Sequence, residues 1–140
     1  MKKILIINAN YYKDISKRLV LSSKKKLNNK VKINIINVPG IYEIPIAIRK
    51  NIKKFDGFIA LGCVIKGQTP HFDLICYSTF VSILNLSIIF NKPIGNGIIT
   101  ANNMKQALQR CKNLASKKPN KGSEAAYAVL SILQNVPKKI

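Results

Sequence analysis

Phe58-Ile59-Ala60-Leu61-Gly62-Cys63-Val64-Ile65 is an unbroken apolar run between the turn pair Asp56-Gly57 and the polar stretch Lys66-Gly67-Gln68-Thr69-Pro70-His71. The run has the length of a strand and no polar/apolar alternation, so both of its faces must be covered. Strands buried on both faces belong to parallel sheets with helices on either side.

The flanking chain repeats that grammar. Residues 4–7 are a shorter run of the same kind, and residues 31–38 alternate as V-K-I-N-I-I-N-V. Residues 93–100 hold a fourth strand, in which Gly95 and Gly97 let another backbone come close. Between the strands the rhythm is helical. A first helix is expected over about 15–27. Ile44, Ile48 and Ile52 recur on one face of a second, where Pro45 is tolerable only in the first turn. A third, long and apolar over about 73–90, is expected to be well covered by neighbours. Asn102 or Asn103 can cap a fourth, running to about Leu114. A polar connector over 115–121 leads to a last helix near 124–134, with Ala125, Val129, Ile132 and Leu133 as its apolar stripe. Strands separated by helices make βαβ units. The expected fold is a single α/β domain over the 140 residues, a three-layer sandwich around a four-stranded parallel sheet. Ligands of such sheets bind beyond the carboxyl ends of the strands. That directs attention to residues 8–12, 39–43, 63–71 and 96–103.

Composition narrows the function. Hydrophobic residues make up 47% and charged residues 21%, enough apolar material for a core and too much for a disordered chain. The formal net charge of +19 invites a nucleic-acid reading. Yet 21 of the 24 basic residues are Lys, and only Arg18, Arg49 and Arg110 offer the fork that reads base edges. Lys, Asn and Ile together fill 59 of 140 positions. All three have A/T-rich codons, so the charge reads mainly as solvated Lys. No specific nucleic-acid partner is expected, only weak polyanion binding at low salt. No run approaches the roughly 18 apolar residues of a membrane span, and the four before Asn8 are too few for a secretion signal. The three cysteines have no C-x-x-C spacing, so neither a disulfide scaffold nor a zinc site is expected, and a cytoplasmic location is. With one His and five carboxylates, no metal-ligand cluster stands out.

The unusual residues gather at the strand ends. Val38-Pro39-Gly40-Ile41-Tyr42-Glu43-Ile44-Pro45 ends one strand, and Leu61 through Asp73 ends another. Asn96-Gly97-Ile98-Ile99-Thr100 lies on a third, Gln106-Ala107-x-x-Arg110 one helix on, and Asn120-Lys121-Gly122-x-Glu124-Ala125-Ala126 opens the last helix. This ordered set, spanning almost the whole chain, resembles the lumazine synthase family. The resemblance implies a flavodoxin-like sandwich that condenses 5-amino-6-(D-ribitylamino)uracil with 3,4-dihydroxy-2-butanone 4-phosphate. The products would be 6,7-dimethyl-8-ribityllumazine, phosphate and water. It implies small-molecule substrates, no metal and no redox cofactor. It also implies a homo-oligomer, with the site between neighbouring subunits of a pentamer that in some members closes into a larger shell. The Lys-rich connector over 114–119 and the short tail before Ile4 favour the free pentamer.

Each residue also has a plainer reading. His71, the one histidine, can be a surface or helix-capping residue; the motif makes it the proton shuttle. Gln68 and Thr69 can be an ordinary strand-to-helix turn, or can offer backbone N–H groups to the phosphate. Arg110 falls where the family binds that phosphate, which a guanidinium fork suits, and Lys121 adds charge beside it. Glu43 is a helix-start carboxylate that could also accept from the ribityl hydroxyls. Ile41, Tyr42, Cys63, Val64 and Ile65 read either as buried strand ends or as backbone lining the pyrimidine pocket. Tyr11 takes the family's ring-stacking position, with Tyr12 as the competing candidate. Asn96 stands where other members carry an aromatic at the pocket edge, Asn10 where many carry Arg, and Lys66 is a milder change. Two other functions stay open. A non-catalytic flavodoxin-like binder would want Gly, Ser or Thr after the first strand, where the chain has Asn8-Ala9-Asn10-Tyr11-Tyr12. A basic nucleic-acid binder would want aromatic residues interleaved with its charges.

Overall fold

Four parallel strands in the order β2-β1-β3-β4 form the middle layer of the computed structural model, which describes residues 1–113 and 120–140. In chain order the elements are β1 (Lys3–Ala9), α1 (Lys13–Leu27), β2 (Lys32–Val38), α2 (Ile44–Lys50), β3 (Gly57–Ile65), α3 (His71–Phe90), β4 (Ile94–Ala101), α4 (Met104–Gln109) and α5 (Lys121–Gln134). A single 3₁₀ turn, Ile41–Glu43, leads into α2. This is the expected α/β sandwich.

Side-chain alternation along the strands builds the two outer layers. Ile4 and Ile6 of β1, with Ile59, Leu61 and Cys63 of β3, face one buried cluster with Ile15 and Leu19 of α1 and Ala125, Ala126 and Val129 of α5. Leu5, Ile7, Phe58 and Ala60 face the other, with Ile44 and Ile48 of α2 and Cys76 and Ile83 of α3. β3 is therefore apolar along its whole length and β1 from Ile4 to Ile7, which produces the unbroken runs. Glycine sets the interlayer distance. A Cβ on Gly95 would strike the Ala125 backbone of α5, and one on Gly122 the Leu19 carbonyl of α1.

Helix ends follow their caps. Asn103 is the cap of α4, its Oδ1 accepting from the Gln106 amide at 2.9 Å. Asn120 caps α5 by accepting from the Ser123 amide at 3.1 Å, so α5 starts at Lys121, three residues before the expected 124. Tyr12 precedes α1 without a side-chain cap bond, and α1 starts at Lys13.

The structure corrects several expectations. Helix α4 stops at Gln109 rather than near Leu114, because Cys111 leaves the helix to bridge Asn120. The Lys121 amide then donates to the Arg110 carbonyl at 2.8 Å. The connector reading over 114–119 lies outside the described residues. On α5, Ile132 is 62% exposed and Leu130 takes its place in the buried stripe. Helix α3 is not well covered. Cys76, Thr79 and Ile83 are its buried residues, while Leu74, Tyr77, Leu84, Ile88 and Ile89 are exposed. One face packs on the sheet and α2, and among the described residues no further layer covers the other. Its 20 residues are also long and apolar enough, by length and composition alone, to cross a membrane, contrary to the sequence expectation.

Candidate active site

The carboxyl ends of β1, β2 and β3 are adjacent in the sheet, so the loops beyond them converge. They enclose a cavity of about 680 Å³. Tyr11 and Tyr12 enter from β1; Gly40, Ile41, Tyr42 and Glu43 from β2; Cys63, Val64 and Ile65 from β3; and His71 and Ile75 from α3. Nine of the residues singled out by sequence, counting Tyr12 as the alternative to Tyr11, thus share one wall.

Local bonds fix each approach. The Asn10 amide donates to the Val38 carbonyl at 3.2 Å, tying the β1 loop to β2. Ser16 Oγ donates to the Ala9 carbonyl at 3.0 Å, and the Tyr12 carbonyl accepts from the Ser16 amide at 2.9 Å. The Tyr11 and Tyr12 rings meet edge to face, with centroids 4.9 Å apart and planes at 82°. The loop after β2 closes on itself. The Gly40 amide donates to Glu43 Oε1 at 3.0 Å, and the Glu43 amide donates to the Gly40 carbonyl at 3.3 Å. One carboxylate oxygen is therefore engaged in holding the turn, and both readings of Glu43 are geometrically compatible. A Cβ on Gly62 would sit 2.8 Å from Ile41 Cγ2 and 3.1 Å from Ala9 Cβ, so only glycine lets this turn seat on β1 and β3.

His71 is the first residue of α3 and is exposed. Its amide lies 3.4 Å from Thr69 Oγ1, a weak closure of the strand-to-helix loop. Gln68 and Thr69 are exposed beside it but do not line the cavity. Cys63 is a buried thiol whose pKa is pushed up to about 11 by desolvation, with Cys111 adding to the effect. It stays protonated near neutral pH and is no nucleophile there. Burial, then the neighbouring Cys63 and Tyr11, also raise the pKa of Tyr12.

Arg110 and Asn96 lie elsewhere. They line a second cavity of about 590 Å³ with Phe80, Thr100, Gln109, Lys121 and Glu124. The Arg110 carbonyl accepts from the Lys121 amide, so the end of α4 and the start of α5 deliver a guanidinium and an ammonium to the same space. Arg110 Nη1 donates to the Gln106 carbonyl at 3.3 Å. Asn96 Oδ1 accepts from the Ile98 amide at 3.1 Å. Within one protomer the residues expected for the phosphate are therefore split, and Asn96 is not in the wall with Tyr11. Sequence reasoning missed Ile75, Phe80 and Gln109, and gave no role to Glu124, which stands in the motif that opens α5. Glu124 carried a usable signal, since it lies three residues after Lys121 on the same helical face. Among the described residues, no three His, Cys, Asp or Glu side chains group closely enough to hold a metal ion.

A flavodoxin-like sandwich with an aromatic, imidazole-bearing cavity and a separate cationic one belongs to the class of α/β proteins that hold small, polar molecules at strand ends. A family model described as 6,7-dimethyl-8-ribityllumazine synthase matches residues 1–136. The chain is 38% identical to the protein of that name from Campylobacter jejuni subsp. jejuni, over 99% of this chain and 91% of that one. It is 42% identical to the one from Buchnera aphidicola subsp. Baizongia pistaciae and 36% to the one from Campylobacter curvus, each over 94% of this chain and 86% of the relative. The chain belongs to the 6,7-dimethyl-8-ribityllumazine synthase family, whose members are transferases of riboflavin biosynthesis.

Proposed function

We propose that the protein condenses 5-amino-6-(D-ribitylamino)uracil with 3,4-dihydroxy-2-butanone 4-phosphate to give 6,7-dimethyl-8-ribityllumazine, phosphate and water. The observation that carries this reading is the convergence of Tyr11, Ile41, Tyr42, Glu43, Cys63, Val64, Ile65 and His71 on one cavity in a chain of this family. Tyr11 covers the pyrimidine ring, Glu43 accepts from ribityl hydroxyls, and Ile41, Tyr42, Cys63, Val64 and Ile65 line the pocket. The substrate's ring amine attacks the ketone, and loss of water gives an imine. Phosphate is eliminated, tautomerisation leaves a carbonyl on the adjacent carbon, and the ribitylamino nitrogen closes the second ring on it with loss of a second water. His71 takes up and returns the protons of these steps. Arg110 and Lys121 neutralise the phosphate as it binds and leaves, while Gln68 and Thr69 approach it through the backbone at the start of α3. Much of the acceleration comes from holding two reactants in register, an effect worth up to about 7–11 kcal/mol.

This arrangement needs two copies of the chain. Arg110 and Asn96 of one subunit complete the His71 cavity of the next, in a ring read as a pentamer. The outer face of α3 supports that assembly. Leu74, Tyr77, Val81, Leu84 and Ile88 are all exposed and follow one another at alternating spacings of three and four residues. That is the a/d seam of packed parallel helices. Ser78, Ser82 and Asn85 interrupt the apolar surface, which suits a protein neighbour better than lipid. The ring works in the cytoplasm on small molecules, without a membrane or specific nucleic acid as partner. Mixing purified protein with both substrates and following lumazine absorbance and fluorescence tests the activity. His71→Ala should slow turnover by about 10²-fold or more without abolishing it. No lumazine formed by the wild-type chain would overturn the assignment.

A further inference from the structure

Two aromatic rings face the cavity at the end of β1, and they are held differently. Tyr11 is 75% exposed. Tyr12 is half-buried and packs against the cluster between the sheet, α1 and α5. The backbone on either side of Tyr11 is pinned, at Asn10 by the Val38 carbonyl and at Tyr12 by the first hydrogen bond of α1. The Tyr11 side chain itself projects into open space, where rotation about its side-chain bonds would be free. What meets it is the ring of Tyr12, edge to face at 4.9 Å and 82°. Aromatic pairs prefer this geometry, and the preference is directional, beyond the apolar area covered.

We propose that Tyr12 is a positioning residue, whose ring edge holds the Tyr11 ring in the orientation that stacks on the pyrimidine substrate. The inference rests on the reading of Tyr11 given above. With Tyr12 in place, Tyr11 is ordered before the substrate arrives, and binding need not freeze it. Without it, the same stacking contact forms at an entropic cost. The effect therefore falls on pyrimidine binding, not on the chemical steps and not on the phosphate substrate. It also belongs to the ring rather than to the hydroxyl.

The test is steady-state kinetics on the full chain with both substrates, for Tyr11→Ala, Tyr12→Leu, Tyr12→Phe and the Tyr11→Ala/Tyr12→Leu double variant. Tyr12→Leu keeps apolar bulk on the buried side and removes the ring; Tyr12→Met serves the same purpose if Tyr12→Leu does not fold. The KM for the pyrimidine is expected to rise about two- to tenfold in Tyr12→Leu, the range an aromatic pair contributes. The kcat and the KM for the butanone phosphate should stay within about twofold, and Tyr12→Phe should match the wild type. Once Tyr11 is alanine, removing the Tyr12 ring should add less than about twofold. If the two single effects instead multiply, or if Tyr12→Phe is as impaired as Tyr12→Leu, the positioning role is overturned while Tyr11 keeps its own. If Tyr11→Ala leaves the pyrimidine KM unchanged, the stacking role of Tyr11 falls, and the inference falls with it.

Discussion

If Arg110 holds the phosphate, as proposed, replacing it by alanine should separate phosphate recognition from everything else the chain does. Arg110 is exposed at the end of α4, and its Nη1 contact to the Gln106 carbonyl is long at 3.3 Å. Its backbone carbonyl, which the substitution leaves intact, is what joins α4 to α5 through Lys121. Stability should therefore change by no more than about 0.5 kcal/mol. A hydrogen bond from a charged donor contributes about 1.5–3 kcal/mol, or roughly ten- to a hundredfold in affinity. Lys121 lines the same cavity and keeps part of the positive charge, so the loss should fall near the low end, about ten- to thirtyfold. Arg110→Lys keeps the charge but not the bidentate fork and should lie between, at about threefold. The assay varies the butanone phosphate at saturating pyrimidine, then reverses the roles. The phosphate KM should rise and the pyrimidine KM should hold. An unchanged phosphate KM in Arg110→Ala removes Arg110 from the site. Equal rises for both substrates would show that the variant disturbs the assembly rather than the contact.

Three further outcomes follow from the packing. Gly122→Val should destabilise the fold by about 1–3 kcal/mol in urea denaturation, because its Cβ would strike the Leu19 carbonyl and crowd Ser23 Oγ, which donates to the Gly122 carbonyl at 3.0 Å; an unchanged midpoint would mean that α1 and α5 can separate freely. The Cys63 thiol titrates at about 11 in the folded chain and near 9 in the unfolded one, so the unfolded state loses its proton first. The stabilising contribution is thus complete below pH 9 and declines between pH 9 and 11, and Cys63→Ser should flatten that part of the stability profile. Leu84→Lys places a charge in the middle of the exposed α3 stripe and should reduce the mass measured by light scattering, while the circular dichroism of the protomer is retained; a full-sized assembly would exclude α3 as the interface.

What the sequence reveals depends on the range of the interaction. Residues 4–7 and 58–65 announce strands covered on both sides because every residue carries the signal locally. The α4 cap is equally local, an Asn three residues before the amide it accepts from. The end of α4 is not. Leu108 and Leu114 continue an apolar rhythm, yet the chain leaves the helix to pair Cys111 with Asn120, a partner that only the folded arrangement supplies. The exposure of α3 is hidden for another reason. An apolar side chain reads the same whether its own chain or a second copy covers it. The site divides along the same line. Tyr11, Glu43 and Cys63 are neighbours because the ends of β1, β2 and β3 are adjacent, which follows from the strand order. The strand order does not bring Arg110 to them.

That division bears on how the charge is used. Cavity walls made of Tyr11, Tyr12, Ile41 and Ile75 suit a flat heterocycle, and those of Arg110 and Lys121 suit a phosphate. Kept apart, two such cavities could hold two reactants but not join them. Catalysis by orientation requires both on one frame, with reacting atoms about 3–3.5 Å apart. A second copy can supply that frame, and the uncovered α3 stripe is a surface through which it can dock. In the proposed ring each protomer would add a formal net charge of +19, from 24 basic and five acidic residues. Repulsion between exposed charges is screened within about 10 Å at 0.1 M salt, whereas apolar contact along α3 is not weakened by salt. Ring formation should therefore strengthen from 10 mM to 200 mM salt, and activity at low protein concentration should rise with it. Activity that falls steadily as salt is added, with the ring intact, would mean that screening acts first on phosphate binding at Arg110 and Lys121.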